Sequence, residues 1–155
     1  MRAPRSFPAL LARAGGGEDR EALATIVRAS LPRLPTGAAH GGITPDRALF
    51  MGDRCSAVLP SGAAGTKALV LDLAETALGW MACVHSPSAA LRAVTSGYQA
   101  LRRLLPEEKE ALYAALRFAA AREGVRRLAT GRSGPLEGVR AVDGLGAAEA
   151  RAAAG

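Results

Sequence analysis

Several stretches of the chain carry apolar residues at helical spacing, and one short region carries them in paired runs. Leu23, Ile26, Val27 and Leu31 recur every three to four residues after an acidic start at Glu18-Asp19. That pattern predicts a helix, which Pro32 and Pro35 close because proline cannot continue the hydrogen-bond ladder. Thr36 to Gly42 is too glycine-rich for a helix. Ala48-Leu49-Phe50 and Ala57-Val58-Leu59 flank a Gly52-Asp53 turn and predict a small hairpin. Pro60 to Gly65 reads as a bend. From Ala68 to about His85 the residues are apolar nearly all round, including Leu69, Leu71, Leu73, Leu78, Trp80 and Met81, as a buried helix requires. Ser86-Pro87-Ser88 starts another helix, through Leu91, Val94, Tyr98, Leu101 and Leu105. Pro106-Glu107-Glu108 opens a further one, to about Leu128, with proline in the first turn and acids at the positive end of the dipole. Gly131 to Gly134 ends it, and the Ala-rich tail holds one last helix.

The predicted class is mainly α (α+β), a helical bundle with one short β-hairpin. Residues 1–18 read as a flexible N-terminal arm, 19–130 as the folded body, and 131–155 as a loop and tail. The chain's 155 residues are enough for one core, and with aromatics at 4% that core must be built from Leu, Val and Ala. Cys55 and Cys83 form no metal-binding spacing and are expected to be buried, reduced thiols in a cytoplasmic protein.

A net charge of +6 raises the question of nucleic acid. The charge is nearly all arginine, with Lys67 and Lys109 the only lysines, and the arginines are scattered from Arg2 to Arg151. Nucleic acid is therefore not an expected partner. Arg102-Arg103 and Arg126-Arg127 read as solvated helix faces. No apolar run approaches the ~20 residues of a membrane span, and the basic, interrupted N-terminus does not make a signal peptide. Gly62 to Lys67 follows a strand-like run, but Thr66 separates Gly65 from Lys67 and Ala68 follows. The spacing of a phosphate-binding loop is absent. Ser56 and Ser61 lie in no nucleophile elbow.

The segment from His40 to Ala74 has a less common order of parts: H-G-x-x-x-P-D, hairpin, bend, then a buried helix opening L-D-L-A. It resembles the C-terminal lobe of the aminoglycoside phosphotransferase, choline kinase and type II homoserine kinase family. Gly97-Tyr98-Gln99-Ala100 and Leu116 to Arg122 resemble that family's later helices. The resemblance implies a protein-kinase-like phosphotransferase lobe. It puts the family's loop histidine at His40 and its helix-start aspartate at Asp72, both as structural supports of the loop.

The reactive positions depart from the family pattern. Phosphoryl transfer needs an orienting group for the nucleophile and oxygen ligands for magnesium. The resemblance puts the catalytic aspartate at Gly42 and the two metal ligands at Arg47 and Pro60. Asp46 and Asp53 are the nearest acids that could substitute. No catalytic residue, no metal and no cofactor are therefore expected. ATP and Mg enter only on the alternative reading, a truncated or divergent small-molecule kinase whose N-terminal lobe is supplied separately. The primary expectation is an inactive lobe acting as a binding or interaction module, with a protein partner or a second copy of itself. On this reading the scaffold should tolerate Gly42→Asp, Arg47→Asn and Pro60→Asp together and gain metal binding.

Overall fold

The computed structural model describes residues 7–14, 16–29 and 31–155. In order it has α1 (Phe7–Arg13), α2 (Glu18–Arg28), β1 (Thr36–Ala39), a 3-10 turn (Pro45–Arg47), β2 (Ala48–Met51) and β3 (Arg54–Val58). There follow β4 (Gly65–Ala68), α3 (Leu69–Met81), α4 (Pro87–Gln99), α5 (Pro106–Ala129) and α6 (Glu137–Ala153). The mainly helical expectation holds.

Helix α5 is the central element, with α1, α2, α3 and α6 packed around it and α4 resting on α3 and α6. Its alanines allow this: Ala111, Ala115, Ala119, Ala120 and Ala121 are buried among Leu112, Leu116 and Val125. Small side chains let several helix axes approach one rod closely. Leu23 from α2, Val70 and Leu73 from α3, Leu91 from α4 and Val142 from α6 complete the core. Leu10 and Leu11 of α1 also pack against it.

Helix α6 is interrupted by Gly146, whose φ of 77° and ψ of 161° are not helical. The part before the break faces α5, where Tyr113 donates to Asp143 at 3.1 Å and Arg117 pairs with Asp143 at 2.7 Å. The part after it faces α4. There Thr95 donates to the Ala153 carbonyl at 2.8 Å and Gln99 to that of Ala154 at 3.1 Å.

Four sequence expectations are corrected. There are two two-stranded sheets, not one hairpin: β2 pairs with β3 as expected, and β1 pairs antiparallel with β4, Thr36 opposite Ala68 and Ala39 opposite Gly65. TGAA and GTKA carry no alternating apolar pattern, so the pairing comes from tertiary closure. Cys55 and Cys83 are exposed, not buried. The outer part of the hairpin has no layer over it, and Cys83 lies in the turn after α3. Helices α3 and α4 also stop earlier than expected, at Met81 and Gln99.

The fourth correction concerns Arg102, which lies in the turn before α5 and not on a helix face. It donates to both carboxylate oxygens of Glu108 at 3.0 and 2.9 Å, and to the Tyr98 hydroxyl at 3.0 Å. The hydrogen bond to Glu108 holds the guanidinium above its ordinary pKa. Glu108 is fully buried and also accepts from the Leu105 amide at 3.0 Å, satisfying an orphan donor at the start of α5. Glu108→Gln keeps the volume but loses the charge. It should cost about 1 kcal/mol, since Arg102 is a third exposed and can re-solvate. Urea denaturation would measure this.

Candidate functional site

One carboxylate organises the loop that follows β1. Asp72, in the first turn of α3, accepts from the backbone amides of His40 at 3.1 Å, Gly41 at 2.6 Å and Gly42 at 3.1 Å. One turn along, Thr76 accepts from the Ile43 amide at 3.0 Å while donating to the Asp72 carbonyl at 2.9 Å. Trp80, a further turn along, donates from its indole to the Ile43 carbonyl at 2.8 Å. Asp72, Thr76 and Trp80 are four apart, so the i, i+4 face of one helix supports four consecutive loop residues.

The loop can follow α3 this closely because of its glycines. Gly41 and Gly42 have φ of 93° and 87°, a region L side chains rarely adopt. A Cβ at Gly42 would stand 3.3 Å from that of Glu75. At Gly41 it would stand 2.7 Å from the Ala63 backbone.

The far side of the loop is tied to the end of the hairpin. The His40 ring places Nε2 2.9 Å from the Leu59 carbonyl and Nδ1 3.3 Å from that of Gly42. A neutral imidazole donates to one of these, and the shorter contact is to Leu59. Arg47 donates to the next carbonyl, that of Pro60, at 2.7 Å. Ser61 donates to the Gly41 carbonyl at 3.3 Å.

The structure therefore brings His40, Gly42 and Asp72 into one cluster and joins Arg47 to Pro60 beside it. Asp46 and Asp53 do not enter the cluster. Asp46 is exposed, and Thr44 donates to it at 2.5 Å, the main reason its carboxyl is held below the usual range. Asp53 is exposed in the hairpin turn. Among the described residues, no three His, Cys, Asp or Glu side chains gather as a metal-binding group.

Sequence reasoning missed a second charged group against Gly42. Glu75 accepts from Lys67 at 2.7 Å and from Arg122 at 3.1 Å, with Glu75 and Lys67 both less than a fifth exposed. The clue was spacing: Glu75 is three residues after Asp72 on the same face of α3. Thr76 and Trp80 were missed as loop supports for the same reason.

Chemically, the cluster has little to offer a substrate in this conformation. Both Asp72 oxygens carry backbone donors, and His40 Nε2 faces a carbonyl. The cations of Lys67 and Arg122 are shared with Glu75, and Arg47 is bonded to Pro60.

No family model matches the chain. Among curated proteins, it is 37% identical over 116 residues to the homoserine kinase of Granulibacter bethesdensis, covering 69% of this chain and 36% of that one. It is 32% identical over 140 residues to that of Acidiphilium cryptum, with 81% and 43% covered. It is 33% identical over 132 residues to that of Methylocella silvestris, with 81% and 40% covered. The chain is thus related to homoserine kinases, and it spans about two fifths, or less, of the length of these relatives.

Proposed function

We propose that this chain is a homoserine kinase-like lobe without phosphotransferase activity, serving as a binding or interaction module. The observation that carries the reading is the backbone of Gly42. The resemblance assigns the catalytic carboxylate to this position, yet a φ of 87° with Glu75 packed close against it suits only glycine. Strain of this kind costs an L residue about 1–3 kcal/mol. Gly42→Asp is therefore a strained change, contrary to the sequence expectation that all three replacements would be tolerated.

The two positions assigned to metal ligands support the same reading. Arg47 and Pro60 meet through a guanidinium-to-carbonyl bond, which puts a fixed cation where a divalent ion would need anionic oxygen. These residues do not fit magnesium, since a guanidinium and a proline carry no anionic oxygen.

Titration calorimetry of the full chain with Mg-ATP tests the proposal. No binding heat is expected, and no ADP release when homoserine is added. Saturable Mg-dependent binding of ATP, weakened by Asp46→Ala, would overturn it. Arg47→Asn with Pro60→Asp, leaving Gly42 in place, should fold and acquire weak Mn2+ binding. A double variant that folds without binding Mn2+ would show that these two positions do not form a metal site.

The short span relative to the curated homoserine kinases supports a second reading, in which further sequence completes a nucleotide site. Under it, ATP binding should appear when the N-terminal part of a homoserine kinase is added in trans. Under the first reading it should not.

A further inference from the structure

The hairpin is covered only at its base: Ala48 is buried, while every residue of β3 is exposed. On the side of Ala48, Phe50 meets Trp80 edge-on, with ring centroids 6.2 Å apart, and is itself half exposed. Leu49 and Met51 alternate with them and so lie on the outer face, where the register sets Leu49 beside Ala57 and Met51 beside Arg54. Met51 is 75% exposed and Leu49 46%, and with the half-exposed Phe50 between them they make a run of three uncovered large apolar residues on one strand. At the tip, Asp53 and Arg54 are exposed, and neither is in an ion pair among the described residues.

We propose that this outer face binds a second copy of the chain, hairpin on hairpin, about a twofold axis running along the strands. Such an axis lays β2 of one copy over β3 of the other. Leu49 then packs on the small Ala57, and Met51 lies along the aliphatic stem of Arg54. At the tips, each Arg54 guanidinium reaches the other copy's Asp53. One strand supplies the large residues and the other the small one, and acid and base are adjacent. These are the conditions a self-complementary interface imposes. Pairing also gives support to a two-stranded hairpin that is marginal alone. The inference supplies the interaction surface of the module proposed above. Its readout is molecular mass, so its failure is distinct from a failure of the nucleotide-binding test.

Sedimentation velocity on the full chain, from micromolar to high micromolar concentration, should show a mass rising from 15.9 kDa towards twice that value. Met51→Glu should weaken the dimer roughly tenfold or more, the scale of losing a central apolar anchor, with an unchanged circular dichroism spectrum. If that variant misfolds, Met51→Ser serves in its place. Asp53→Arg and Arg54→Asp should each weaken association, and the double swap should recover most of it. A wild-type chain that stays at monomer mass overturns the proposal. So does a dimer indifferent to Met51, or a double swap as weak as the single changes.

Discussion

Asp72→Ala should be the most damaging single change in the loop region, lowering stability by about 3 kcal/mol. It leaves the amides of His40, Gly41 and Gly42 without their acceptor. Each part-buried donor stranded in this way costs about 1 kcal/mol or more. In a domain of this size that corresponds to a fall in Tm of roughly 10 °C. Asp72→Asn separates charge from geometry. Its carboxamide oxygen can still accept from Gly41 and Gly42, but its NH2 group cannot accept from His40, so about half the loss is expected. Urea denaturation gives the magnitudes. Amide exchange at residues 40–42 localises them: the three amides should lose protection together while those of α5 keep theirs. Unchanged protection at 40–42 in Asp72→Ala would show that the carboxylate does not hold the loop.

Gly124→Ala should also be severely destabilising, although glycine to alanine within a helix ordinarily gains about 1 kcal/mol. Gly124 lies in α5 where α2 and the segment before α6 converge. A Cβ there would land on the Pro135 carbonyl oxygen and stand 2.9 Å from Leu23 Cδ2. Leu23 is fully buried, and the other obstacle is backbone, so neither can swing aside. Overpacking of this kind costs about 3 kcal/mol or somewhat more, outweighing the propensity gain and leaving a net loss of about 2 kcal/mol. Gly97→Ala is the control. Nothing lies within 4 Å of a Cβ at Gly97 on α4, so that change should be neutral or mildly stabilising. Thermal denaturation of the two variants would separate close packing from propensity.

What could be read in advance followed the physics of each element. Pro106-Glu107-Glu108 announces a helix start through fixed φ and dipole charge, and α5 begins there. The apolar run after Ala68 marks a buried helix, because only burial accommodates apolar residues on every side. The β1–β4 pairing could not be read, because five of its eight residues are Ala or Gly, with no alternation of large apolar and polar side chains, and its register is decided by distant contacts. The exposed Cys83 was misjudged because α3 stops at Met81, short of it, and the exposed Cys55 for a reason closer to that of the β1–β4 pairing. An alternating strand indicates which residues share a face, but not whether anything covers that face. At the site, a resemblance could align His40, Gly42 and Asp72 in one dimension. It could not show that Asp72 accepts three amides, or that Arg47 reaches Pro60. Glu108 was legible as a helix-start acid, but its complete burial depends on Arg102, six residues earlier and outside any helix.

The break at Gly146 gives the last helix a divided stability. Its two parts are anchored to different neighbours, Tyr113 and Arg117 of α5 before the break, Thr95 and Gln99 of α4 after it. A continuous rod would detach as one cooperative piece. Two segments joined at a non-helical residue open separately, each with its own free energy. The final turns should therefore exchange their amides at a rate of their own, and lifting them would expose the fully buried Ala150 and Ala154 and break the bond from Lys109 to the Gly155 carbonyl. The tail is fastened by two clasps in series, and the outer one guards the edge of the core where Ala150 and Ala154 are buried.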